Sequence, residues 1–304
     1  MKKISRILPA LAAAALLCAS CTREPLHEEG SSYRVKINID YSMMYGTPEE
    51  PKLMTVVIYD PATGQKVGQE FISPSGGFIN SVQPGNTYDL IVYNYDTETT
   101  GVSGTDFHNT IKAFTSSTYS GSSLIIAEPD HLYVDVLNNI YIPHIPADDL
   151  SVFTIETHPK TILDTYKLVV EGIKGLKNAQ AIAVYIGGQA PGRMLGTGNL
   201  ISESCYVSFK GHPNYATDEI VNVFNTFGKL PDVPSDIILN IMISGADGAT
   251  YVLRKDVTSQ FLAGNNPEHI IRAEFDATIN PRKEGGIEPS VDPWDTEHEQ
   301  WNIE

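Results

Sequence analysis

The sequence predicts an all-β protein, two tandem β-sandwiches behind a lipoprotein signal peptide. Three observations carry this. Short apolar runs with period-two alternation recur about every 8 to 12 residues, clusters of Pro, Gly, Asn and Asp separate them, and amphipathic helical periodicity is almost absent. The chain has 304 residues, enough for two ordinary cores, because domains of about 100 to 150 residues are the commonest size.

Residues 1–20 read as a secretory signal. Lys2, Lys3 and Arg6 precede an apolar run from Ile7 to Leu17, followed by Cys18, Ala19, Ser20 and Cys21. The run is shorter than the roughly twenty residues that span a bilayer, and small residues before a cysteine suit a signal peptidase. Cys21 is the expected lipidation site; the alternative is an ordinary export signal that leaves Cys21 a plain thiol. Acyl chains gain about 0.8 kcal/mol per buried methylene, so two or three on one cysteine anchor a chain without a transmembrane helix. Residues 21–32, with Arg23, Glu24, Pro25, Glu28, Glu29, Gly30 and two serines and no apolar periodicity, form the expected tether.

The first sandwich is expected over 33–149. Val35, Ile37, Ile39 and Tyr41 alternate with polar residues, as on a half-buried strand. Thr55–Tyr59 and Lys66–Ile72 flank Asp60-Pro-Ala-Thr-Gly-Gln65, which predicts a hairpin. Phe78–Val82 is a further run. Tyr88–Tyr95 is apolar on both faces and predicts a central strand covered on two sides. Leu124–Ala127, Leu132–Leu137 and Ile140–Ile142 follow, whereas Ser116–Ser123 and Pro143–Asp149 read as loops from their composition. The second sandwich is expected over 150–281. Its runs are Val152–Thr157, Thr165–Gly172, Ala181–Ile186, Tyr206–Phe209, Ile220–Phe227, Ile237–Ile243, Thr250–Leu253 and His269–Phe275. Gly245-Ala-Asp-Gly248 supplies a hairpin turn, and Thr258–Leu262 is the one short helix.

Residues 282–304 are an acidic tail. Arg282-Lys-Glu-Gly-Gly286, Pro289 and Pro293 cannot continue a sheet, so the core is expected to end near Ile279. From Glu284 onward there are seven acids and no Lys or Arg, yet both tryptophans, Trp294 and Trp301, lie here. Burying such a ring gains several kcal/mol at about 25 cal/mol per Å², which points to a partner surface. In Gln300-Trp-Asn-Ile-Glu304, Trp301 and Ile303 share one face of a short strand. That strand either folds back on its own domain as an edge or is donated to a neighbouring subunit; Trp294, Trp301 and Ile303 are the expected partner-binding residues.

The formal charge of −16 becomes −19 once Lys2, Lys3 and Arg6 leave with a signal that contains no acid. No basic cluster remains to release counterions from phosphate, so nucleic acid is excluded as a partner and anionic lipid surfaces are disfavoured. Of three cysteines, Cys205 alone is left unpaired beside an acylated Cys21; it alternates with Val207 and Phe209, as a small buried strand residue does. No catalytic residue, metal site or small-molecule cofactor site is expected. The eight histidines form no HExxH or close pair, and no GxSxG, P-loop or CxxC occurs. Asp96-Thr-Glu98 and Asp148-Asp149 are acidic groups that could in principle hold a hard cation, but neither has EF-hand spacing. Tyr88, Tyr93 and Tyr95 are read either as a carbohydrate-stacking face or as core and strand-edge tyrosines.

The chain resembles the fimbrillin-type lipoproteins of Bacteroidales, above all the FimB-like fimbrial anchor subunits. The resemblance is carried by Leu17-Cys-Ala-Ser-Cys21, Val82-Gln-Pro-Gly-Asn-Thr-Tyr-Asp-Leu-Ile-Val-Tyr-Asn-Tyr-Asp96, Thr165-Tyr-Lys-Leu-Val-Val-Glu-Gly172, Phe224-Asn-Thr-Phe-Gly228 and Asp256-Val-Thr258. The Cys21 segment resembles the lipobox of bacterial lipoproteins, and Cys18 sits where that pattern usually has leucine. The resemblance implies transthyretin-like sandwiches, lipid attachment to the outer membrane with display on the cell surface, and other fimbrial subunits as partners through β-strand exchange. The expected function is therefore a non-catalytic structural or anchor subunit of fimbriae. The alternative is a surface glycan-binding module using exposed aromatics.

Overall fold

The computed structural model describes residues 34–42, 51–144, 151–231, 236–261 and 269–282. In chain order the strands begin with β1 (Val35–Ile39), β2 (Met54–Tyr59), β3 (Lys66–Ile72), β4 (Gly76–Ile79), β5 (Thr87–Asn94), β6 (Thr100–Ser103) and β7 (Lys112–Thr115). They continue with β8 (Ser117–Ser120), β9 (Ser123–Ala127), β10 (Tyr133–Tyr141), β11 (Phe153–Thr157), β12 (Lys160–Thr161), β13 (Asp164–Lys174) and β14 (Ala179–Gln189). The last are β15 (Gly192–Met194), β16 (Cys205–Lys210), β17 (Pro213–Asn214), β18 (Glu219–Thr226), β19 (Ile238–Gly245), β20 (Thr250–Asp256) and β21 (Ile270–Thr278). The helical segments among the described residues are two short 3₁₀ turns, Leu176–Asn178 and Thr258–Phe261; the second is the predicted short helix.

Among the described residues the strands form five sheets, and the sheet ordered β12-β10-β5-β2-β3 lies at the centre of the first half. Side chains alternate across a strand, and both faces of β2 and β5 are apolar. Val56, Ile58, Leu90 and Val92 enter one core with Val35, Ile37 and Ile79 of the β11-β1-β4 sheet. Val57, Tyr59, Ile91 and Tyr93 enter the larger core shared with β13, β14, β16, β18 and β19. The double coverage expected for 88–95 is thus present, and it joins the two cores through one sheet.

The second half is built on the six-stranded sheet β20-β19-β14-β16-β9-β8 and the four-stranded sheet β17-β18-β13-β21. Between them pack Phe209, Phe224, Tyr166 and the aliphatic residues of β13 and β14; the Phe209 and Phe224 rings stack at 4.6 Å and 12°. Both expected hairpins are present, β2–β3 and β19–β20. Val207 and Cys205 are buried on β16, as the alternation predicted. Ile279 is buried and donates its N–H to Lys174 O.

Two expectations are corrected. Ser116–Ser123 is largely a hairpin: β8 pairs with β9 across a turn containing Gly121 at φ 58°. Its serines and threonines face solvent on an edge strand, where polarity costs nothing. Ile140 does not open a separate strand, because β10 runs on through a bulge between Leu137 and Ile140.

Strand pairing also crosses the expected boundary at 149/150 in both directions. β11 adds in parallel to β1, and β12 pairs with β10. In the other direction β9 adds in parallel to β16, and β7 pairs with β15. Hairpin patterns reveal neighbours in sequence, but parallel additions link segments far apart and leave no local signal.

Candidate functional site

The expected site residues Cys21, Trp294, Trp301 and Ile303 lie outside the described residues, as do Asp148 and Asp149. Among the described residues no group of three or more His, Cys, Asp or Glu could hold a metal ion. The acids that are partly buried serve the fold. Asp130 accepts hydrogen bonds from Thr99 Oγ1 at 2.9 Å, Thr100 N at 2.6 Å and Glu98 N. Burial pushes its carboxyl up, but these bonds outweigh it and hold the group below the usual carboxylate range.

Glu128 accepts from Asn225 N at 3.0 Å and so caps β18; burial pushes its carboxyl above the ordinary value, with that bond opposing. Asp164, at the start of β13, is likewise raised by burial, against the pull of Arg193 and His269. Asp96 accepts from Lys52 N at 2.6 Å and Asn94 Nδ2 at 3.0 Å, which makes it a loop cap rather than a cation ligand. The Cys205 thiol is pushed up to about 12 by burial and Glu203, so it is no nucleophile near neutral pH.

The three tyrosines do not share a face. Tyr93 points into the larger core, Tyr88 into the smaller one, and Tyr95 alone is exposed. Register instead brings Tyr95 to Phe71 and Leu53. Phe71 lies opposite Thr55, and Tyr95 donates its N–H to Leu53 O at 2.9 Å. These side chains are 55%, 60% and 49% exposed, and the Phe71 and Tyr95 rings meet edge to face at 5.2 Å. This apolar patch flanks β3, the edge strand of the central sheet. No sequence signal marks it, because it exists only once the β2–β3 register is set.

A second edge is guarded. Gln260 donates its amide to Arg272 O and accepts from Arg272 N, each at 2.8 Å, occupying the outer side of β21 as a neighbouring strand would. β21 is the strand that leads into the acidic tail.

A cleft of about 400 Å³ lies at one end of the central sheet. The Asp60-Pro61 turn and Val67 of β3 form one wall, and Gln83, Asn86 and Tyr88 form the other. Gly68 makes the cleft possible, since a Cβ there would sit 2.4 Å from Ser81 Cβ, and its absence lets the 81–88 segment close on β3.

Among the described residues the chain is an all-β, multi-sheet scaffold whose partly buried acids Glu128 and Asp130 accept backbone hydrogen bonds. The chain belongs to the family described as Domain of unknown function (DUF5119), whose profile matches residues 20–210. It is 26% identical over 200 residues to the Bacteroides ovatus protein named "Putative fimbrium anchoring subunit Fim4B". That alignment takes in 64% of this chain and 57% of the relative, so the chain spans little more than half of that protein's length.

Among solved structures it shares its fold with a protein described as a "putative adhesin" from B. ovatus: TM-score 0.64, 21% identity, 86% of this chain and 96% of the other. A Bacteroides thetaiotaomicron structure described under "putative polysaccharide binding proteins (DUF1812)" aligns at TM-score 0.50 and 13% identity, over 80% and 90% of the two chains. The all-β fold class and the resemblance to fimbrillin-type proteins are both borne out.

Proposed function

We propose that this chain is a non-catalytic structural subunit of fimbriae, a lipoprotein held at the outer membrane through Cys21 and displayed on the cell surface. The observation that carries this reading is 26% identity over 200 residues to a relative named as a fimbrium anchoring subunit, on an all-β scaffold of several sheets. Among the described residues no helix is long and apolar enough to cross a membrane; in this reading the attachment is acylation at Cys21. Fimbrial subunits are the partners. Backbone groups on a free edge supply affinity for an extended strand and alternate side chains supply specificity, and the tail residues Trp294, Trp301 and Ile303 are the side chains this chain offers.

Anchoring is tested by Cys21→Ser with labelled palmitate. The variant is expected to lose the label completely and to move from the membrane pellet to the soluble fraction. An unlabelled variant that still sediments with membranes contradicts the lipid anchor.

A further inference from the structure

We propose that the cleft between the Asp60-Pro61 turn and the 83–88 segment binds a neutral saccharide. The argument rests on which polar groups are left without work. Asp60 Oδ1 accepts from Ala62 N at 2.8 Å and closes its turn, while Oδ2 has no partner among the described residues. The side chains of Gln83, Asn86, Thr87 and Ser81 also line the cleft and bond to no other described group. The Tyr88 hydroxyl, at the back, accepts from Gln83 N at 3.0 Å and keeps its own proton to donate. Val67, 47% exposed, and the Pro61 ring supply aliphatic surface beside these groups.

A ligand for this wall must donate to a carboxylate, exchange hydrogen bonds with two amides and three hydroxyls, and lay C–H groups on Val67 and Pro61. A pyranose ring does all three. Asp60 and the formal charge of −16 oppose an anionic sugar, and a single carboxylate is a poor seat for a hard cation, which takes six or more oxygens. The volume falls in the small-ligand range and accommodates a short oligosaccharide segment. This activity is independent of fimbrial assembly and uses residues that the proposed strand pairing does not.

The test uses the full chain in detergent, titrated calorimetrically with neutral oligosaccharides of glucose, galactose, mannose and N-acetylglucosamine, and with an oligouronate. At least one neutral oligosaccharide is expected to bind and the oligouronate to bind more weakly. Asp60→Asn keeps the turn-capping Oδ1 and should weaken binding about tenfold, the loss of one charge-assisted hydrogen bond. Gln83→Ala combined with Asn86→Ala should remove measurable binding while the melting temperature stays at the parent value. Binding by none of the neutral probes, preference for the oligouronate, or equal binding by parent and double variant overturns the proposal.

Discussion

Phe224→Ala is expected to lower stability by about 4 kcal/mol, within the range for deleting a buried phenyl ring. Phe224 is fully buried on β18 and stacks on Phe209 at 4.6 Å and on Tyr166 at 5.7 Å. Phe209 belongs to β16 and Tyr166 to β13, so the ring bridges the two large sheets of the second half. Tyr166 in turn packs on Phe261 at 4.8 Å and His269 at 5.1 Å, which limits how far the site can collapse into the void. Urea unfolding measures the effect; a loss below about 1 kcal/mol would mean that this ring stack does not hold the sheets together.

Gly172→Val is expected to be as damaging, by a backbone route. Gly172 sits at φ +79° in the bulge of β13 opposite β21, and a Cβ there would lie 1.8 Å from Phe275 O. The left-handed conformation alone costs a branched residue about 1 to 3 kcal/mol, and the overlap with backbone must move β21 away from β13. We expect a total loss above about 3 kcal/mol. Gly64 is the control, at φ +70° in the β2–β3 turn with nothing within 4 Å of a Cβ; Gly64→Ala should cost only about 1 kcal/mol. Equal losses for the two variants, measured by thermal unfolding, would show that close packing of β21 on β13 contributes nothing.

Much of the fold is legible in the residues. The alternation of Val35, Ile37 and Ile39 and the two-faced run at 88–95 marked strands that the structure contains, because burial on one face or two writes itself directly into side-chain polarity. Turn chemistry located the β2–β3 and β19–β20 hairpins for the same local reason. Parallel additions are different in kind. The pairing of β1 with β11 and of β9 with β16 joins residues about eighty to one hundred and twenty positions apart, and β8 is so polar that its composition mimics a loop.

The candidate surfaces were harder still. Alternation along β5 puts Tyr88 and Tyr93 on opposite faces. That each face is covered by a core while Tyr95, just past the strand, stands in solvent is settled by packing between segments far apart in sequence. The cleft needs the 60–61 turn, β3 and the 83–88 segment brought together, with Gly68 as the only sequence trace of that approach.

The central claim, that this is a fimbrial subunit joined to its partners by strand pairing, is tested most directly by deleting residues 288–304. Full-length and truncated protein are crosslinked on intact cells, and the captured subunits are identified, with melting of each purified form in parallel. The account predicts that fimbrial subunits are captured by the full-length protein and lost with the truncation, while the melting temperature is unchanged. Capture undiminished by the truncation, or a full-length protein that captures no fimbrial subunit, would contradict it.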